Sequence, residues 1–188
     1  MNRIVLASAS PRRKQLLEWA EIDFDVIVQE TSETWPAGMA IGDIPVHIAR
    51  NKALAVEAIL EPGRVIIAAD TVVVLGEEII GKPRDRDDAV DILSRLAGRR
   101  HEVITGVVLR RAGEEQAFAD RTAVYFHPLS LDEIRGYVDR YRPYDKAGAY
   151  AIQEWIGVVG IERIEGDFYN VMGLPVSRVV RALRKWEM

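Results

Sequence analysis

Val65-Ile66-Ile67-Ala68-Ala69-Asp70-Thr71-Val72-Val73-Val74-Leu75 is the stretch on which the reading of the fold turns. Its first five residues are all apolar, the pattern of a strand buried on both faces at the centre of a helix-covered sheet. A second apolar run, Val72 to Leu75, follows the polar pair Asp70-Thr71. A carboxylate inside such a stretch is costly to bury unless it is paired, holds a metal or faces a cleft. Asp70 therefore marks either a functional site or a buried salt bridge.

Outward from this strand, helix and strand patterns alternate. On the N-terminal side, residues 3–7 and 24–28 read as strands. The helix between them, Pro11 to about Ala20, opens with proline and takes Ser10 as its cap. Asp43 precedes a second helical stretch in which Ile44, Ile48, Ala55 and Ile59 recur at helical spacing, ending before Pro62-Gly63. On the C-terminal side, Asp85 to Ala97 carries Ala89, Ile92, Leu93 and Leu96 on one face and stops at Gly98. Residues 102–110 and 117–126 read as strands joined by a turn at Ala112-Gly113. Ser130-Leu131-Asp132-Glu133 fits a capping box for a helix to about Arg140. A strand is expected at 157–164 and a closing helix at about 175–187, with Val176, Val179, Val180 and Leu183 facing the core or an interface. The alternation, free of repeats and low-complexity linkers, predicts one α/β domain over residues 1–188 with a mixed β-sheet flanked by helices.

Composition removes several function classes. The 188 residues are 48% hydrophobic, enough for a substantial core. Cysteine is absent, which excludes disulfides, thiolate metal sites and cysteine nucleophiles. A net charge of -4 argues against binding long nucleic acid, which needs a broad basic face. No apolar run approaches the about 18 residues of a membrane span, and Met1-Asn2-Arg3 leads into a strand rather than a signal peptide. A soluble, cytoplasmic protein is expected. His47, His101 and His127 lack ligand spacing and read as structural.

Three sets of residues carry candidate chemistry. Ser8-Ala9-Ser10-Pro11-Arg12-Arg13 follows a strand and opens a helix, so backbone N–H groups and the helix dipole face whatever lies there. Two hydroxyls and two guanidinium groups add donors for phosphate oxygens. The same segment also fits an ordinary capped helix with solvated arginines. Asp70-Thr71 is the second set. The third is dispersed: Glu33, Lys52 and Lys82. Lys52 also fits a solvated helix residue, whereas Lys82, between Gly81 and Pro83, has a constrained backbone. Pro143–Gln153 and Glu165–Pro175 mix glycine, charge and aromatic residues, as binding loops on a rigid scaffold do. Walker A, G-x-G-x-x-G and G-x-S-x-G motifs are all absent.

Together these segments resemble the Maf family of nucleotide pyrophosphatases. The matches are Leu6-Ala7-Ser8-Ala9-Ser10-Pro11-Arg12-Arg13, Ala69-Asp70-Thr71-Val72-Val73, Gly81-Lys82-Pro83, Thr105-Gly106-Val107, Asp145-Lys146-Ala147-Gly148-Ala149-Tyr150 with Ile152-Gln153, and Gly173-Leu174-Pro175. Ala151 departs from the glycine common at its position. The resemblance implies an elongated mixed sheet with a cleft between two lobes, related to the inosine triphosphate pyrophosphatases, and a homodimer. It implies that Asp70 is the catalytic proton acceptor and that Ser8, Arg13, Glu33, Lys52 and Lys82 line the cleft. Arg12, Thr71 and Gln153 match the positions that separate substrate classes. The pattern is that of the branch acting on dTTP and UTP; a branch associated with 7-methyl-GTP has tryptophan in place of Arg12.

The expected reaction is hydrolysis of a pyrimidine nucleoside triphosphate to monophosphate and pyrophosphate. A divalent metal, Mg²⁺ or Mn²⁺, is expected on Glu33 and Asp70 with triphosphate oxygens. Arg13, Lys52 and Lys82 are expected to stabilise charge in the transition state. The amide of Gln153 has the donor and acceptor to match the O4 and N3–H edge of uracil or thymine. Because the family is linked to inhibition of septum formation, a nucleotide-binding regulator with little catalysis is the alternative.

Overall fold

A computed structural model describes residues 3–186. Met1, Asn2 and Glu187, which enter the expectations for the N-terminus and the closing helix, lie outside the described residues. The elements follow in the order β1 (Ile4–Leu6), α1 (Pro11–Trp19), β2 (Phe24–Val26), α2 (Ile44–Glu57), β3 (Val65–Leu75), β4 (Glu78–Ile80), α3 (Arg86–Leu96), β5 (Arg100–Arg111), β6 (Glu114–Phe126) and α4 (Leu131–Tyr141), then α5 (Trp155–Gly160), β7 (Ile161–Glu165), α6 (Phe168–Met172) and α7 (Val176–Leu183). Among the described residues the strands form one sheet in the order β2-β1-β3-β5-β6-β7, with β4 paired to β3. The sheet is mixed, as expected: β1 runs parallel to β2 and β3, whereas β3 with β4 and β6 with β7 are antiparallel. β3 continues through Asp70-Thr71 as one strand of 11 residues. No described helix is long and apolar enough to cross a membrane.

The chain divides into two compact units, the first comprising Met1–Thr71, Thr105–Asp120 and Gly173–Met188. Its core joins Val5 and Ala7, Ala49, Ala53 and Val56 from α2, Ile66 and Ala68 from β3, and Val108 from β5. The expected apolar stripe on α2 was partly misplaced. Ile44 and Ile48 are buried, but Ile59 lies beyond the helix and is exposed. The inward face continues instead through Ala49 and Ala53, whose small side chains let the helix approach the sheet closely. Gly106 shows how closely: a Cβ there would lie 2.2 Å from the backbone nitrogen of Val46 in the first turn of α2. On α7, Val179, Ala182 and Leu183 are buried.

The second unit comprises Val72–Ile104 and Arg121–Met172. Asp85 caps α3 by accepting the Asp88 N–H, and the Ser130–Glu133 capping box on α4 is present with both of its hydrogen bonds. The strand expected at 157–164 is corrected to α5 followed by β7. The Gly157 and Val158 N–H groups donate back to the Glu154 carbonyl, and β7 pairs with β6 over Ala123–Phe126. His101, Phe126 and Tyr150 pack edge to face, and His101 Nε2 lies 2.7 Å from the Tyr150 hydroxyl.

Candidate active site

The alternation of β3 sorts its two polar residues onto opposite faces. Ile66 and Ala68 pack against α2, so Asp70, two residues on, faces the same way. Lys52 lies one helical turn from Ala49 and Val56, on the inward side of α2. Its ammonium consequently reaches Asp70 Oδ1 at 2.7 Å. Glu33, in the irregular segment after β2, places Oε1 2.7 Å from the same nitrogen. The side chains of Lys52 and Asp70 are 17% and 14% exposed and that of Glu33 is 52% exposed. Asp70 is therefore salt-bridged, and the bridge lies within reach of solvent.

Thr71 leaves the strand on the other face and meets Arg13 from α1. The Arg13 side chain is buried and donates from Nε to the Gly173 carbonyl at 2.8 Å, from one terminal nitrogen to Ser8 Oγ at 3.1 Å, and from the other to Thr71 Oγ1 at 3.0 Å. Ser8 Oγ also accepts the Ser10 N–H, and Ser10 Oγ accepts the Arg13 N–H at the start of α1. Gly173 holds φ at +119°, a conformation that side chains disfavour and that keeps its carbonyl on the guanidinium. Burial lowers the pKa of Arg13; Asp70 and Glu33 pull it back up, while Arg12 adds to the lowering. Arg13 is thus a brace within the fold, with terminal N–H groups still to offer, rather than the solvated arginine of an ordinary helix start.

The structure gathers Glu33, Lys52 and Asp70 into one cluster and Ser8, Arg13 and Thr71 into another, all in the first unit. Arg12 is half-buried in the first turn of α1. Lys82 and Gln153 are exposed and belong to the second unit. Their loops are tied together there, the Gly148 N–H donating to the Gly81 carbonyl at 3.1 Å. Thr105, quoted in the Thr105-Gly106-Val107 match but given no role there, places its hydroxyl 2.9 Å from that of Thr71 and is wholly buried. A threonine in the apolar run of β5 was the available signal.

The oxygens of Glu33 and Asp70, here converging on the Lys52 ammonium, are of the hard type that a divalent cation takes when phosphate oxygens and water fill its remaining positions. No group of three His, Asp or Glu side chains among the described residues is placed to hold a metal on protein ligands alone.

Fold and site define an α/β protein with a serine–arginine–threonine network at the start of α1 and an acid–lysine–acid cluster drawn from β3, α2 and the segment after β2. Residues 3–186 match the family described as Maf-like protein, and the chain belongs to that family. It is 48% identical over 182 residues to a dTTP/UTP pyrophosphatase of Cytophaga hutchinsonii, covering 97% of this chain and 83% of that one. It is 45% identical over 184 residues to a dTTP/UTP pyrophosphatase of Bacteroides thetaiotaomicron, with 97% and 95% covered. The Ham1 protein of Staphylococcus aureus shares the fold at a TM-score of 0.53 and 17% identity, with 98% and 99% covered.

Proposed function

We propose that this protein hydrolyses dTTP and UTP to the monophosphate and pyrophosphate, using a divalent cation held by Glu33 and Asp70 together with substrate oxygens. The observation that carries the reading is the Asp70–Lys52–Glu33 cluster beside the Ser8–Arg13 cradle, in a chain whose relatives bear that activity in their names. A bound cation supplies charge neutralisation at the phosphates. Asp70 accepts the proton of a water whose oxygen forms a bond to the α-phosphorus as the bond to the bridging oxygen breaks and pyrophosphate leaves. Lys52 holds Asp70 and Glu33 with two of its three N–H bonds and turns the third to the phosphates. Ser8, Arg12 and Arg13 offset the charge that accumulates on the transferring group. Arg12 and Thr71 act in selection of the base. The family resemblance supports a homodimer as the working assembly.

Pyrophosphate release from dTTP, UTP, CTP, GTP and 7-methyl-GTP, with and without Mg²⁺ or Mn²⁺, tests the reading. Metal-dependent release from dTTP and UTP above the others is expected. Asp70→Asn should lower kcat by at least about a hundredfold, the usual scale for a positioned acid or base. Nucleotide binding without turnover in the metal-loaded protein would replace the enzyme by a regulator; near-normal turnover in Asp70→Asn would remove Asp70 from the chemistry.

A further inference from the structure

We propose that Trp35 is a substrate-binding residue whose indole stacks on the face of the nucleobase when a nucleoside triphosphate occupies the Glu33–Lys52–Asp70 cluster. The inference rests on the reading of that cluster given above and deepens it. Trp35 lies in residues 27–43, the segment between β2 and α2, which contains turns but no helix or strand. The segment is held at both ends and in its middle. The Ile27 N–H donates to the Leu6 carbonyl at 3.2 Å, the Asp43 N–H to the Ala40 carbonyl at 2.9 Å, and Glu33 Oε1 takes the Lys52 ammonium at 2.7 Å. A connection this long without regular structure is uncommon in a compact domain, and such connections characteristically bind or cover a ligand.

Two local features set the direction of the indole. Ser32 Oγ and Thr34 Oγ1 are 2.8 Å apart, so these alternate side chains project to one side, as they do in extended chain. Glu33 and Trp35 alternate with them and project to the other. Pro36 follows, and a residue before proline is confined to the extended region. The chain turns only beyond it, where the Met39 N–H donates to the Pro36 carbonyl at 3.3 Å and Gly38 takes φ of +80°. The indole thus stands on the side of the Glu33 carboxylate, displaced along the segment by about 6–7 Å, the rise of two extended residues. It is 42% exposed. With phosphate and cation at Glu33 and Asp70, a ribose bridges that displacement and brings the base to the ring. Arg12 and Thr71 address the edge of the base and the indole its face. The charges of Glu33 and Arg12 are both felt at Arg13, so these groups border one site. Because every base has a π-face, the stack adds affinity without choosing the base.

The test compares wild type, Trp35→Ala and Trp35→Phe with Mg²⁺ present. Calorimetry gives Kd for the non-hydrolysable α,β-imido analogue of UTP and for inorganic tripolyphosphate, which has no base. Trp35→Ala should weaken the UTP analogue about tenfold, the scale of one base–aromatic stack, and leave tripolyphosphate unchanged. Trp35→Phe should restore most of the loss. The UTP analogue should also quench a component of the wild-type indole fluorescence that Trp35→Phe lacks. An unchanged Kd for the UTP analogue in Trp35→Ala overturns the proposal. Equal weakening of both ligands overturns it too, by making Trp35 a support for Glu33 rather than a contact for the base. If Trp35→Ala does not fold, or wild type does not bind tripolyphosphate, the quenching decides: equal quenching in wild type and Trp35→Phe overturns the proposal. Binding without turnover in wild type removes the hydrolysis alone, because the Kd comparison still decides the role of Trp35. Failure of wild type to bind the UTP analogue overturns both.

Discussion

Asp70 and Thr71 are adjacent in the chain and serve two different clusters, because a strand turns successive side chains to opposite faces. One peptide unit thereby fixes the acid–lysine pair and the hydroxyl–arginine brace in a constant relation. The Lys52 ammonium bridges two carboxylates of unequal exposure, and that inequality has a consequence for stability. Glu33 is half-exposed, so solvent screens most of what its ion pair contributes. Asp70 is largely buried, and losing the Lys52 ammonium leaves its carboxylate without a directly paired cation, with the charge of Arg13 as partial compensation. Lys52→Met should therefore destabilise the protein by about 1–3 kcal/mol, the penalty for stranding a buried polar group, and Glu33→Gln by well under about 1 kcal/mol. Urea midpoints of the two variants check this; equal losses would mean that the pair with Asp70 contributes no more than a surface bridge.

At the level of elements, the close approach of α2 to β5 is what delivers Lys52 to the sheet. Ala49 and Ala53 thin the helix face, and Gly106 removes the last obstacle on the strand. Gly106→Ala would drive a methyl group into the backbone between Pro45 and Val46, where no side-chain rotation can relieve it. The expected loss is about 3 kcal/mol, at the upper end for overpacking, accompanied by weaker activity as α2 is displaced. Thermal unfolding together with pyrophosphate release measures both; an unchanged melting temperature would contradict the close contact. The Ala112-Gly113 turn is of the kind that matches strand twist, with φ of +51° and +86°. The pattern at 157–164 predicts a strand, yet the chain makes a helical turn through Gly160 before pairing begins at Ile161. Such short apolar runs are ambiguous between helix and strand until a partner is known.

For the molecule as a whole, the acid side of its stability profile has an identifiable source. Burial, with help from the charge of Arg100, pushes the His101 imidazole down from 6.5 to about 4. Above pH 6.5 the ring is neutral folded or unfolded and pH has no effect through it. Between about pH 6.5 and 4 the unfolded chain binds a proton that the folded one refuses, so stability falls as pH falls. Below about pH 4 both states are protonated and the loss levels off at about 3 kcal/mol from this group. Unfolding free energies of wild type and His101→Phe across that range should diverge in slope, wild type being the steeper; parallel slopes would refute the assignment.

Much of this protein was legible in its residues because the signals are local. The apolar run of β3, the serine caps of α1 and α4, and the glycine after α3 follow from neighbours within a few positions, and they determined the α/β class and most elements. Ordered motifs likewise marked Ser8, Arg13 and Asp70 as candidates for a site. Only the tertiary structure decided that Lys52 bridges Asp70 and Glu33, that Arg13 is braced rather than solvated, and that Thr105 backs Thr71. Those relations join residues far apart in sequence, Arg13 to Gly173 most of all. They depend on strand order, on facing and on how closely α2 approaches the sheet, which the periodicity of a single segment does not encode.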